Sequence, residues 1–151
     1  MKKQRKILKR WKTNIFGFPV IVDSIDAFKF EGEWVADVDY EALGEQLIEL
    51  LLDSHRPLTG AQMRFVRKQL DLSQTELGLL IGKKQPHIAR AESRDSEAAF
   101  ESFADQFALI VQLKAKWLRH QNKSLIPKRD DIFSAEEFEN DVEPKVELKR
   151  A

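Results

Sequence analysis

Two helix-start signals, fourteen residues apart, constrain the fold of the middle of this chain. Thr59-x-x-Gln62 and Ser73-x-x-Glu76 both fit the capping-box pattern, in which a hydroxyl and a side chain three residues later satisfy each other's backbone N–H groups. They predict helices near residues 60–70 and 74–81. Gly82 follows the second helix, and its lack of a Cβ permits the left-handed turn that ends a helix.

A third short helix is predicted near residues 85–92. Pro86 lies in its first turn, where the backbone N–H groups have no partner within the helix, so the proline loses no hydrogen bond there. Two short helices joined by a glycine-containing turn of about three residues are typical of a helix-turn-helix motif. In that motif the second helix enters the DNA major groove, and its first residues face the base edges.

The polar residues around this third helix suit contact with DNA. Lys83 and Lys84 precede the helix, where their ammonium groups can meet phosphates. Gln85 is the first helical residue and can pair bidentately with adenine. His87 follows, and Arg90 lies on the same face and can bind guanine or phosphate. The alternative interpretation of this cluster is an ordinary solvated charged face.

The preceding helix has a polar start and an apolar side. Gln74, its first residue, can offer a side-chain amide and a backbone N–H to phosphate. The apolar residues of the two helices are expected to face inward: Leu77, Leu80, Ile81 and Ile88.

Residues 58–94 resemble the helix-turn-helix domain of the Cro/phage-repressor (XRE) family. The pattern PLTG…RFVRK…LSQ…LG, residues 57–78, is similar to MqsA/HigA-type antitoxins of bacterial type II toxin–antitoxin systems. The resemblance implies groove contacts from Gln85, His87 and Arg90. It implies phosphate contacts from Gln74, Lys83, Lys84 and Arg94.

The same resemblance implies an internal ion pair between Arg67 and Glu92. This chain departs from the family pattern at Gly78, where a small alanine is usual, and at Lys83, where a larger apolar residue is usual. Zinc-binding members carry paired cysteines before this domain. The chain has no cysteine, so neither zinc nor another cofactor is expected.

Charge alternates along a chain whose 25 basic and 25 acidic residues sum to zero. Residues 1–12 carry seven Lys and Arg and no acid, residues 13–60 carry ten acids against two bases, and residues 61–94 carry seven bases against three acids. Such separation is typical of a protein with a basic surface that binds nucleic-acid phosphates. It also occurs when charge is unevenly distributed over a surface without any binding role.

The segment at 13–55 is predicted to be a small α+β module. A β-hairpin is expected to turn at Glu31-Gly32, and Asp39 is expected to cap a helix that runs to about Ser54. The inward face of that helix is predicted to carry Leu43, Leu47, Leu50 and Leu51. The basic residues 1–12 are interpreted as an arm reaching along DNA, an RNA-facing tail or a disordered end, with Ile7, Leu8 and Trp11 indicating that part of the segment packs.

The C-terminal third is predicted to begin with a long helix from a cap at Ser96 to about His120. Its apolar stripe closes the domain's own core, forms a homodimer interface, or does both. The stripe comprises Phe100, Phe103, Phe107, Ile110 and Trp117. Residues 122–151 are predicted to be a charged, flexible tail, in which Ser134-x-x-Glu137 could cap a short helix.

The chain shows no phosphate loop, nucleophile elbow or paired metal-ligating histidines, so neither an enzyme nor a metal site is expected. It has no apolar run of the roughly 18 residues that span a bilayer, and a cytoplasmic protein without a membrane partner is expected. Taken together, these features predict an α+β fold: a small strand-and-helix module, then an all-α helix-turn-helix domain of the phage-repressor type over residues 58–121 with a long C-terminal helix.

The predicted function is that of a homodimeric repressor bound to a double-stranded DNA operator. The resemblance makes it the antitoxin of a type II toxin–antitoxin pair, with a toxin protein as second partner and control of its own operon. The alternatives are a stand-alone XRE-type regulator and a protein-interaction adaptor that has lost DNA readout.

Overall fold

The structure, a computed structural model, describes residues 4–121 and 146–148 and has an α+β fold. A mixed sheet comes first along the chain and is followed by five helices among the described residues. The elements are β1 Arg5–Thr13, β2 Val20–Phe30, β3 Glu33–Ala36, α1 Tyr40–Asp53, α2 Gly60–Gln69, α3 Gln74–Ile81, α4 Gln85–Glu92, α5 Phe103–His120 and β4 Val146–Leu148. The described residues divide into two compact units, residues 4–48 with 146–148 and residues 49–121.

The sheet of the first unit is built around β2. Strand β1 pairs with it antiparallel, β3 returns from it as a hairpin, and β4 pairs with it in parallel. The hairpin turn at Glu31-Gly32 is confirmed, and both residues have positive φ (49° and 83°), as the tight two-residue turn requires. Val20, Ile21 and Val22 are all buried, so this end of β2 is covered on both faces.

Residues 5–13 differ from the predicted basic arm because they form β1. Their backbone pairs with β2 from Arg5 opposite Phe28 to Thr13 opposite Val20. Two basic side chains of β1 form ion pairs within the unit: Arg5 lies 3.2 Å from Asp37 and Arg10 lies 2.8 Å from Glu147. A flexible arm and a disordered end are therefore wrong for residues 5–13, since their backbone is held in a ladder.

Helix α1 begins as predicted, because Asp39 Oδ1 accepts a hydrogen bond from the Ala42 N–H at 3.1 Å. The predicted inward residues Leu43, Leu47 and Leu51 are buried, whereas Leu50 is 37% exposed. Two other residues of α1, Ile48 and Leu52, are buried instead. The helical period of 3.6 residues centres the buried stripe on Leu47, Ile48 and Leu51 and leaves Leu50 at its edge.

The second unit contains α2, α3 and α4 where they were predicted, and both capping boxes form. Thr59 and Gln62 exchange side-chain-to-backbone hydrogen bonds of 3.1 and 3.0 Å, and Ser73 and Glu76 exchange two of 3.0 Å. The core of the unit is apolar and fully buried at Met63, Val66, Leu77, Ile88, Leu109, Ile110 and Leu113. Leu80 and Ile81, which were expected to face inward, are only half-buried.

The capping box of α3 makes a pH-dependent contribution to the stability of the fold. Hydrogen bonds from the Ser73 backbone N–H and then from its hydroxyl hold the pKa of Glu76 below the ordinary glutamate value. A lowered pKa means that the ionised Glu76 stabilises the fold above the unfolded pKa of about 4.3 and that this contribution is lost as pH falls through the folded pKa. In the Glu76→Gln variant, which keeps an acceptor but does not ionise, this pH dependence should vanish. NMR titration of the Glu76 carboxyl group measures its pKa. In Ser73→Ala the pKa of Glu76 should rise part of the way to the ordinary value. A Glu76 pKa at the ordinary value in the unaltered chain would contradict the role of the capping box.

Helix α5 begins later than predicted. Its cap is Ser102, whose Oγ accepts from the Asp105 N–H at 3.3 Å, and not Ser96. Residues before it instead run along the start of α2, where the Ala99 N–H donates to the Leu58 carbonyl at 2.9 Å. The buried amide of Gln106 bonds the backbone N–H and C=O of Leu58, both at 3.2 Å, and closes this crossing. These long-range hydrogen bonds keep residues 96–101 out of the helix.

The buried face of α5 also differs from the predicted aromatic stripe. Ile110 and Trp117 are buried as expected, but Phe103 is 41% exposed and stacks on Phe107 at 6.2 Å between ring centroids. Phe100 is also buried, but it belongs to the loop before α5 and not to the helix. The remaining buried positions of α5 are Gln106, Leu109, Leu113 and Leu118.

The predicted tail is described only in part. Residues 122–145, with Ser134 and Glu137, lie outside the described residues. Val146–Leu148 form β4 within the sheet of the first unit and so differ from a flexible tail. None of the helices among the described residues has the length and apolar character needed to cross a membrane.

Candidate nucleic-acid interface

A close backbone approach sets the geometry of the turn between α3 and α4. Gly82 ends α3 with φ 72°, and the Lys83 N–H donates to the Gly78 carbonyl at 2.8 Å. A Cβ on Gly78 would lie 2.3 Å from the Lys83 carbonyl oxygen, closer than real Cβ contacts come. The family pattern has alanine here, but in this chain glycine lets the turn fold directly against α3.

A chain of polar side chains links the interior of the second unit to the first residue of α4. Arg67 and Glu92 form a buried ion pair with bonds of 2.5 and 3.0 Å, as the family resemblance implies. Glu92 Oε1 also accepts from Gln74 Nε2 at 3.0 Å. Gln74 Oε1 in turn accepts from Gln85 Nε2 at 2.7 Å.

The chemistry of this chain determines which way both amides point. A carboxylate only accepts hydrogen bonds, so Gln74 must present its NH₂ to Glu92 and its oxygen to Gln85. Gln85 must therefore donate one N–H to Gln74, which leaves its oxygen and second N–H available. Adenine presents one donor and one acceptor in the major groove, and such an amide matches both. The interior ion pair thus orients the side chain predicted to read a base.

The start of α4 presents exposed polar side chains. Lys84 is the N-cap residue and makes no side-chain cap bond, and Lys84, Gln85, His87 and Arg90 are all exposed. The side chains of His87 and Arg90 have no hydrogen bond or ion pair with other described residues. Two cations and two hydrogen-bonding side chains therefore lie together on one surface, a composition suited to a phosphate-lined groove.

Two of the predicted phosphate contacts have acidic partners within the unit. Lys83 Nζ lies 2.9 Å from Asp105, and its side chain is only 22% exposed. Arg94 lies 3.3 Å from Glu101 and 3.5 Å from Glu97. The structure brings Gln74, Lys84, Gln85, His87 and Arg90 to the open surface or its edge, and it places Lys83 and Arg94 beside acids at the flank of α4.

Sequence reasoning missed the residues that support this surface. Glu92 anchors Gln74 as well as Arg67, and Asp105 and Glu101 face the basic flank of α4. No local pattern marks these roles, because 18 residues separate Gln74 from Glu92 and the acids belong to the loop and helix that follow.

Comparison of the chain with protein-family models, curated proteins and solved structures gives no match.

Proposed function

We propose that this chain is a sequence-specific DNA-binding transcriptional repressor in which α4 is the recognition helix. The observation that carries the proposal is the hydrogen-bonded series Arg67–Glu92–Gln74–Gln85, which orients an exposed glutamine amide at the start of a short helix. Base readout requires a side chain held in one geometry, and an amide fixed by a buried anchor meets that requirement.

In the proposed mechanism two copies of the chain bind a two-fold symmetric operator. Their recognition helices enter successive major grooves about 34 Å apart and block the promoter. Gln85 reads adenine, and Arg90 and His87 contact bases or phosphates. Lys84 and the backbone at the start of α4 bind phosphate, while Gln74 positions Gln85 and reaches the DNA backbone.

The test is binding of the purified chain to the promoter DNA upstream of its own gene, with non-specific competitor and at two salt concentrations. Several phosphate contacts should make the logarithm of the binding constant fall steeply with the logarithm of salt concentration. Salt-sensitive, competitor-resistant binding is the expected result. Its absence at micromolar protein would contradict DNA binding by the chain alone and favour the adaptor role.

Single substitutions should separate base readout from phosphate contact. Gln85→Ala is expected to weaken operator binding by about 5- to 150-fold, since a bidentate pair contributes about 1–3 kcal/mol of discrimination. Arg90→Ala should weaken it and reduce the salt dependence. Gln69→Ala is the matched control, because Gln69 is an exposed glutamine at the end of α2. Titration of labelled operator measures all three, and unchanged affinity in Gln85→Ala and Arg90→Ala would rule out α4 as the recognition helix.

We further propose that the chain is the antitoxin of a type II toxin–antitoxin pair. The support is the PLTG…RFVRK…LSQ…LG pattern of residues 57–78, together with the acidic composition of residues 13–60, which suits a basic protein partner. Co-expression with the protein encoded beside it should yield a stoichiometric complex and relieve toxicity. A neighbour that is harmless and does not co-purify would favour a stand-alone regulator.

A further inference from the structure

A cavity of about 360 Å³ lies beside the recognition helix, within the second unit. It opens between the outer part of α4, the loop before α5 and the first turn of α5. One wall is apolar and consists of the buried residues Ala91, Ala99 and Phe100. The volume lies within the range of small-ligand pockets, which combine an apolar lining with a few polar groups.

The rest of the lining is rich in cations. It contains Lys83, His87, Arg90 and Arg94, together with the acids Glu101 and Asp105. Asp105 is occupied by Lys83, while Glu101 reaches Arg94 from the solvent side, with its side chain 84% exposed. His87 and Arg90 remain without side-chain partners among the described residues. The cavity therefore has a positive excess and hydrogen-bond donors that are still available.

One donor is already cut off from water. The Arg94 Nε is buried and has no hydrogen-bond partner among the described residues, although the terminal nitrogens of the same guanidinium contact Glu97 and Glu101. A buried N–H without an acceptor is unfavourable, and native structures usually satisfy such groups with protein, water or ligand. The same burial also keeps a ligand oxygen away from this Nε, so Arg94 acts on a ligand in the cavity through its positive charge.

We propose that this cavity binds a small carboxylate with a flat apolar body and that the bound ligand weakens DNA binding. The carboxylate would accept hydrogen bonds from Arg90 and His87, beside the positive charge of Arg94, while the apolar body would lie on Phe100 and the two alanines. A free dianion such as phosphate fits less well, because it leaves the apolar wall uncovered.

The second half of the inference rests on the proposed function. His87 and Arg90 are predicted DNA contacts and also line the cavity. A carboxylate bound between them neutralises charge that would otherwise meet phosphate, so ligand and operator compete. By thermodynamic reciprocity, operator DNA should weaken ligand binding by the same factor.

The direct test uses the full chain without DNA and benzoate as the probe, with benzyl alcohol as its neutral counterpart. Calorimetry measures the affinity, and NMR shifts of the His87 ring and of the backbone amides of residues 99–105 locate the ligand. Benzoate should bind and benzyl alcohol should not. Arg94→Met, which keeps the aliphatic stem but removes the positive charge beside the carboxylate, should weaken benzoate binding about tenfold or more.

A gain-of-affinity variant distinguishes a ligand site from a merely structural arginine. Glu101→Gln removes the carboxylate that competes for Arg94, and because Glu101 is exposed the fold should be unaffected. Benzoate should then bind several-fold more tightly. Glu45→Gln, an exposed glutamate on α1, is the matched control and should leave the affinity unchanged. An affinity that is unchanged or lower in Glu101→Gln would overturn the site.

Operator binding with and without benzoate completes the test. Lower operator affinity at saturating benzoate, but not with benzyl alcohol, supports the proposal. Operator binding without any benzoate binding overturns the inference and leaves the proposed function intact. Benzoate binding without operator binding has the opposite meaning: the ligand site stands, and both the repressor function and the competition fail. Inorganic phosphate binding as tightly as benzoate would overturn the ligand class.

Discussion

The Glu92→Ala variant is expected to lose about 3–5 kcal/mol of unfolding free energy, because it leaves the buried Arg67 charge without a partner. The side chains of Arg67 and Glu92 are only 10% and 3% exposed, so water cannot replace the lost carboxylate. Among the described residues, Arg67 would then keep a single hydrogen-bond partner, the Leu72 carbonyl at 2.8 Å. A loss of this size is a large fraction of the stability of an ordinary domain.

The same variant should also impair DNA binding beyond its effect on folding. Without Glu92, Gln74 loses the acceptor that orients it, and Gln85 loses its fixed partner in turn. Denaturant unfolding measures the stability, and operator titration under conditions where the variant remains folded measures the second effect.

Glu97→Ala is the matched control for Glu92→Ala. Glu97 also pairs with an arginine, Arg94, but its side chain is 72% exposed, and surface ion pairs contribute between about 0 and 1 kcal/mol. A loss below about 1 kcal/mol in Glu92→Ala, equal to that in Glu97→Ala, would contradict the role of the buried pair.

The Gly78→Ala variant is expected to be destabilised by about 3 kcal/mol, at the upper end of the cost of overpacking. Helix propensity alone predicts the opposite sign, since alanine is favoured over glycine within a helix by up to about 1 kcal/mol. The new Cβ would lie 2.3 Å from the Lys83 carbonyl oxygen, and the atom that must move is backbone rather than a flexible side chain. Relief requires the α3–α4 turn to open, which displaces α4.

Displacement of α4 should also lower operator affinity by more than about tenfold, because base contacts depend on placement within about 0.5 Å. Gly82→Ala is the informative control. Gly82 has φ 72°, but an added Cβ meets nothing within 4 Å, so only the strain of a left-handed alanine, about 1 kcal/mol, is expected. Thermal or denaturant unfolding measures the free energy of unfolding of both variants. The larger loss is expected in Gly78→Ala, where the new Cβ collides with backbone, and the smaller in Gly82→Ala, where only backbone strain is added. A stabilised Gly78→Ala protein would show that the turn can move without cost.

The segment from α2 to α4 was predictable because its signals are local. The hydroxyls of Thr59 and Ser73 bond to backbone groups three residues away, and the positive φ of Gly82 depends only on the missing Cβ. Such interactions lie within one turn of chain and are readable from neighbouring residues. The exposed residues at the start of α4 follow from the same boundaries.

The contacts between that segment and the rest of the chain, and the pairing of β1, were not predictable in the same way. Ser96 and Ser102 are both reasonable caps for α5, and only the bonds of Gln106 to Leu58, 48 residues away, decide between them. The basic residues of β1 look like a solvated arm until the β2 backbone lies beside them. Lys83 looks like a phosphate contact until Asp105 is placed next to it.

Local sequence was enough to locate α2, α3 and α4 and the side chains that α4 exposes, because hydrogen bonds within a single helical turn depend on residues only three or four positions apart. Three other features follow only from the three-dimensional fold: β1 joins the sheet, Glu92 orients Gln74 and Gln85, and a cavity forms beside α4. Those features require segments far apart in the chain to meet, and the free energy that brings them together comes from burying a shared core rather than from any local pattern.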